Sequence, residues 1–203
     1  MTPRISTLSA ALFALALSAC GGDEEGPPGG PVRDPGPDPA GTPVEYSERI
    51  SIRLSGIKED EVRDGQASED KSLNEESGNP YNDFLRNAEA ALGHPPSSVR
   101  PVEATLRIGS DTRGVNTFDE LFASIEVYLS NSNTTIGFGT ATDLTGTSAP
   151  VRITATTVDL DALQESLVRD DSVKVGYRGP TVATPPSDFD LRVSIDVMFA
   201  AYP

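Results

Sequence analysis

The chain contains no Trp, one Cys, one His and two Met in 203 residues. One Cys rules out an internal disulfide, and together with one His it rules out a Cys/His zinc site, which takes four such ligands. Nucleophilic catalysis is left with a single imidazole for its base. That residue, His94, stands in Gly93-His94-Pro95-Pro96 directly after a helical stripe, where it reads as a partner for the last helix carbonyls and the helix dipole. No Ser sits in a G-x-S-x-G turn. Cations are scarce: 16 Lys+Arg face 31 Asp+Glu, a net charge of −15. Nucleic acid is excluded as a partner, because binding there rests on cations neutralising phosphates, and an anionic membrane surface is disfavoured for the same reason. With 31 acids some carboxylate pair falls at a glycosidase-like separation by chance, so such a pair identifies nothing. Long apolar runs are missing as well, and no stretch reaches the ~20 apolar residues that cross a bilayer.

What is present begins with an address. Arg4 gives a short positive start, and Leu8–Leu17 (LSAALFALAL) is an apolar run of 10 residues followed by small ones. At about 1.5 Å per residue this run covers half of a roughly 30 Å hydrocarbon core, so it is the layout of a secretory signal and not of a spanning helix. Its end, Leu17-Ser18-Ala19-Cys20, resembles the lipobox of bacterial lipoproteins: an aliphatic residue, two small ones, then cysteine. The resemblance covers residues 1–20. It implies cleavage after residue 19, a diacylglyceryl thioether on Cys20 and acylation of the new amine. At ~0.8 kcal/mol per buried CH₂ one acyl chain holds marginally, while two or three hold firmly. Gly21 stands where an Asp would, in the bacterial sorting rule, retain the protein in the inner membrane. The resemblance therefore implies the bacterial cell envelope, with the outer membrane favoured over the inner.

Residues 20–43 read as the lipidated Cys and an acidic linker. Between 21 and 43 there are 7 Gly and 7 Pro in 23 positions and almost no apolar side chain, too little to offset the entropy of ordering. A proline-rich acidic chain favours extended backbone, and at ~3.1 Å per residue it reaches on the order of 70 Å. Residues 44–203 have ordinary glycine and proline usage and the length of a single core. They hold 26 of the 31 acids and 14 of the 16 bases, a net −12.

Period-two alternation dominates this domain. It marks Ile50–Leu54, Val102–Ile108 (Val102, Ala104, Leu106 and Ile108 inward), Ile125–Leu129, Val151–Ala155, Val173–Tyr177 and the long run Phe189–Phe199. A weaker strand at Thr135–Thr142 carries Gly137 and Gly139, the mark of a bulge or tight bend. One buried and one wet face is the habit of antiparallel sheets. The fold class is mainly β: an antiparallel β-sandwich-like domain of about seven strands with two or three short helical inserts. The first insert is capped by Asn79-Pro80 and stopped by Gly93, with Tyr81, Phe84, Leu85, Ala88 and Leu92 on one stripe. Thr117–Glu120 reads as a capping box; Phe118, Leu121, Phe122 and Ile125 also fit one longer helix, and a short helix passing into a strand is preferred. Asp159 caps the third insert, with Leu160, Leu163 and Leu167 inward. Lys58–Asn79, with 8 acids and 3 bases, reads as a solvated, mobile excursion between first strand and first helix.

Asp159, Asp161, Asp188 and Asp190 are weak metal candidates, since paired carboxylates near strand ends suit Ca²⁺. No D-x-D-x-D-G loop accompanies them. The sequence thus points to a lipid-anchored cell-envelope protein with a non-catalytic binding or structural β-domain. Its partners are the membrane, through the lipid on Cys20, and other envelope proteins or polymers met through loops at one end of the sandwich. The alternative is an envelope hydrolase or calcium-dependent adhesin using surface carboxylates.

Overall fold

Alternating apolar residues become ten strands and two helices in the computed structural model, which describes residues 45–146, 148–156, 158–169 and 173–203. The signal, Cys20 and the linker through residue 43 lie outside the described residues. In chain order the elements are β1 (Tyr46–Arg53), β2 (Ile57–Lys58), β3 (Gln66–Ser72), α1 (Pro80–Leu92), β4 (Ser98–Ile108), β5 (Ile125–Ser130), β6 (Thr135–Ala141), β7 (Val151–Thr154), α2 (Asp161–Arg169), β8 (Lys174–Pro180), β9 (Asp190–Leu191) and β10 (Val193–Tyr202). Two four-stranded antiparallel sheets form, β1-β10-β4-β7 and β3-β8-β5-β6, with β2-β9 as a two-stranded ribbon. With the short ribbon set aside, the first sheet takes the first, eighth, third and sixth strands in chain order, and the second takes the second, seventh, fourth and fifth. That is the strand order of a jelly roll, two Greek keys wrapped into two sheets.

The inner faces meet in one apolar cluster, with Ile50, Ile52, Leu106, Ile153 and Val197 from one sheet and Val127, Leu129, Phe138, Val175 and Tyr177 from the other. α1 closes one end. Asn79, in the left-handed region at φ 45°, accepts the Asn82 N–H on its side chain, Pro80 opens the first turn, and Gly93 at φ 80° ends the helix by donating to the Glu89 carbonyl. The buried stripe puts Tyr81 and Phe84 against Phe199, at ring separations of 5.3 and 6.0 Å. The Tyr81 hydroxyl donates to the Leu167 carbonyl of α2 at 2.9 Å, so both helices are tied to the same corner.

Several expectations are corrected. Lys58–Asn79 is no simple excursion: it contains β2 and β3, and β3 pairs with β8 from Gln66↔Pro180 to Ser72↔Lys174. β3 escaped notice because it is an edge strand, and a strand with one neighbour can be as polar as Gln66-Ala-Ser-Glu-Asp-Lys-Ser72. The run Phe189–Phe199 is two strands: β9 pairs with β2, and β10 runs between β1 and β4. Val102 does not face inward. Register passes from Met198↔Glu103 to Phe199↔Pro101, so Val102 is the extra residue of a bulge and is 42% exposed, while Pro101 and Val99 turn in. Thr117 makes no side-chain cap; Glu120 instead accepts from the Asn116 N–H at 2.8 Å over a 3-10 turn, Phe118–Glu120. That turn does pass into β5, as preferred. His94 meets the Pro95 carbonyl, 2.9 Å from Nδ1, and not the carbonyls of α1.

The bulge expected at the paired glycines is present. Val127 faces Gly139 and Tyr128 faces Gly137, leaving Phe138 as the extra, fully buried residue. A Cβ on Gly139 would run into Ile153, so glycine is what lets the two sheets close along β6 and β7. No helix among the described residues is long and apolar enough to cross a membrane.

Candidate functional site

Register fixes which side chains share the outer face of β1-β10-β4-β7. Successive rows across the sheet are Arg53–Ser194–Arg107, then Ser51–Asp196–Thr105–Arg152, then Arg49–Met198–Glu103–Thr154, and past the bulge Ser47–Ala200–Arg100. Five arginines therefore stand on one sheet face against two carboxylates, Asp196 and Glu103, in a domain that is acidic as a whole. With strands ~4.8 Å apart and ~3.3 Å per residue, neighbouring arginine positions lie roughly 8–13 Å from one another.

The carboxylates are already occupied. Asp196 pairs with Arg107 and accepts the Ser51 hydroxyl at 2.5 Å, and Glu103 lies 3.4 Å from Arg49. Arg53, Arg100 and Arg152 are exposed, and among the described residues none of them forms an ion pair. Arg53 is held through its backbone instead. Its N–H donates to Glu76 Oε2 at 3.1 Å, and its carbonyl accepts from Lys71 Nζ, which pairs with Glu76 at 2.9 Å. Burial pushes the Glu76 carboxyl up, but the Lys71 ammonium and the Arg53 N–H outweigh it and hold the group below the usual range. The end of edge strand β1 is thereby clamped.

A cleft of about 450 Å³ continues the face beyond the Arg53–Ser194 row, lined among others by Arg53, Gly109, Ser110, Asp111, Arg192 and Ser194. Its size is that of a small-molecule site. Arg192, between β9 and β10, is positioned by Asp190 at 2.9 Å and by the Ser55 carbonyl, while its backbone N–H and carbonyl both meet Thr112 Oγ1.

The outer face of β3-β8-β5-β6 is built differently. Lys174 pairs with Asp70 at 3.0 Å, and Arg178 pairs with Glu126 at 2.6 Å. Tyr128 lies across Gly176, donates to Asp70 at 3.2 Å, and carries the Arg178 guanidinium 5.2 Å over its ring. Burial and the neighbouring Asp70 push the Tyr128 hydroxyl well above its ordinary value, so it stays a donor. Between the sheets, the buried Tyr177 hydroxyl has no hydrogen-bond partner among the described residues. Opposite it on β3, burial and then Glu61 raise the Glu69 carboxyl above its usual range.

The four aspartates singled out from sequence fall at two ends of β4. Asp159 accepts from the Asp161 N–H at 2.9 Å and so caps α2, whose Gln164 is bonded to Val99 at the start of β4. Asp188, at φ 55°, donates its N–H to Glu59 at 2.7 Å, and Asp190 bridges Arg113 past the other end of β4. One oxygen of Asp190, Oδ1, is buried and has no hydrogen-bond partner among the described residues. No group of three or more His, Cys, Asp or Glu among the described residues is placed to hold a metal ion. Alternation put Arg53, Arg107 and Arg152 on the wet side of three strands; only the strand order brings those strands together.

No family model matches this chain. No curated protein matches it either. Among solved structures, one titled Desmodium yellow mottle tymovirus is similar over 82% of this chain and 91% of its own, at 13% identity and a TM-score of 0.32. The jelly-roll assignment rests on strand pairing and is independent of that likeness.

Proposed function

We propose that this protein is a bacterial envelope lipoprotein, held by lipid on Cys20 with the outer membrane favoured, whose jelly-roll domain binds an anionic partner and carries out no catalysis. The lipobox-like Leu17–Cys20 supports the anchor. The observation that carries the binding role is the outer face of β1-β10-β4-β7, where Arg53, Arg100 and Arg152 stand exposed with no ion pair among the described residues. In a domain of net −12, three unpaired cations on one sheet face set that face apart from the rest. Screening at physiological salt, about 8 Å, shields a partner at the face from the acids elsewhere on the domain. All the cations are Arg, whose planar fork suits carboxylate or phosphate.

Crosslinking in intact cells tests the role. The Arg53→Glu/Arg152→Glu variant is expected to lose the partner that the parent chain captures, and an unchanged capture pattern sinks the binding face. Cys20→Ser tests the anchor: the protein should leave the membrane fraction, and retention there means the lipid reading is wrong.

A further inference from the structure

We infer that the arginine face and its adjoining cleft bind an acidic polysaccharide, a chain of sugars carrying carboxylates, laid across β1, β10 and β4. This rests on the binding role proposed above and narrows its partner. Three features of the surface choose among polyanions.

The first is the alternation of guanidinium and hydroxyl. The unpaired Arg53, Arg152 and Arg100 are interleaved with Ser194, Thr154 and Ser47, while Arg107, Arg49 and the Ser51 hydroxyl are held by Asp196 and Glu103. A polyuronate presents one carboxylate per ring with hydroxyl groups between, so both of its functional groups find partners on such a surface. The unpaired positions Arg53, Arg100 and Arg152 lie roughly 14–22 Å from one another, which calls for charges spread along an extended ligand and not concentrated at one point.

The second is the continuity of face and cleft. The row Arg53–Ser194–Arg107 borders the cleft of about 450 Å³, where Arg192 and Ser110 stand beside Arg53. A flat sheet offers little depth for specificity, and a pocket at its end can enclose a sugar residue while the chain runs over the arginines. Asp111 also lines that cleft; its carboxylate repels another anion but can accept from a hydroxyl, which suits a ligand that carries hydroxyls between its charges.

The third is what the surroundings repel. A bilayer presents its charge to the whole underside of the domain, and a domain of net −12 is repelled wherever the acids outside the face approach. A thin polymer laid along the face stays clear of the acids elsewhere on the domain. An acidic peptide would gain most by adding a strand to the sheet, but that places it in the plane of β1, off the arginine face, and the Glu76–Lys71 clamp already occupies the end of that edge.

The test is retention of the full chain on immobilised polygalacturonate, with dextran, poly-L-glutamate and phosphatidylglycerol vesicles as the comparison ligands. The expected result is binding to polygalacturonate that weakens as salt rises, little on dextran, and weaker binding to the other two polyanions. Arg53→Gln/Arg152→Gln should lower the polygalacturonate affinity about tenfold or more, with a melting curve matching the parent. Arg152→Gln alone gives a smaller loss and serves if the double variant folds poorly. Arg86→Gln, on exposed α1, leaves binding unchanged. No salt-sensitive retention on polygalacturonate, or retention indifferent to Arg53 and Arg152, overturns the inference. If poly-L-glutamate or vesicles bind better and the same substitutions abolish that binding, the polysaccharide is wrong and the anionic-partner role stands. If none of the polyanions is retained, both fall.

Discussion

On the outer face of β3-β8-β5-β6, Lys174 and Asp70, Arg178 and Glu126 close into two ion pairs around the Tyr128 ring. On the outer face of β1-β10-β4-β7, Glu103 and Asp196 are spent on Arg49 and Arg107, and Arg53, Arg100 and Arg152 form no ion pair among the described residues. Both faces are antiparallel, four strands wide and wet. The difference is in how charge is settled. An exposed ion pair contributes about 0–1 kcal/mol, so neither face holds the fold together by its charges. Pairing does decide what the surface offers to other molecules. The first face is self-satisfied, and the second keeps cations available in a molecule that is otherwise acidic.

The comparison can be broken most sharply at Gly176. A Cβ there would sit 2.6 Å from both Tyr128 Cζ and the Glu69 carbonyl, so Gly176→Val should cost about 2–3 kcal/mol in urea unfolding. An unchanged midpoint would mean that Tyr128 is not seated on the strand. Tyr128→Phe, which removes one hydrogen bond to Asp70 and leaves the ring in place, should cost about 1 kcal/mol.

Glu76 and Glu69 then give pH effects of opposite sign. Glu76 is held below its ordinary value of 4.5, so its stabilisation is present above that pH and lost as pH falls through the folded value. Glu76→Gln should lower the melting temperature at neutral pH, with the gap closing in acid. Glu69 is raised above 4.5, so the ionised group costs stability, and that cost appears as pH rises through the folded value. Glu69→Gln should therefore melt slightly higher than the parent at neutral pH and the same in acid. A gap of the same sign for both variants would contradict the placement of one of them. The smallest effect belongs to the arginine face: Arg53→Gln/Arg152→Gln should change stability by less than about 0.5 kcal/mol, since nothing in the fold depends on those guanidiniums. A larger loss would mean that the two faces are not different in kind.

Much of the architecture was readable because a half-buried strand must alternate. Ile195, Val197 and Phe199 against Ser194, Asp196 and Met198 leave little choice, and Asn79-Pro80 with Gly93 brackets α1 by backbone chemistry alone. What escaped was governed by neighbours. β3 is polar because it has a partner on one side only, and Glu69 and Lys71 on its inner row reach the mouth of the sandwich. Val102 was misplaced because a bulge is a mismatch between two strands, invisible in either one. Gly137 and Gly139 did announce theirs, because a missing side chain marks the site in the strand itself.

The candidate site followed the same division. Sequence determined that the chain begins with a lipobox-like segment, passes through a stretch too poor in apolar groups to pack, and then builds one antiparallel β-domain with arginines on the wet side of several strands. These are properties of single residues and of local periods of two. Tertiary structure decided that β1, β10 and β4 are neighbours although they lie at the start, end and middle of the domain. Only that order gathers Arg49, Arg53, Arg107 and Arg152 onto one surface, because side chains far apart in sequence can meet one ligand only where the sheet sets their strands side by side.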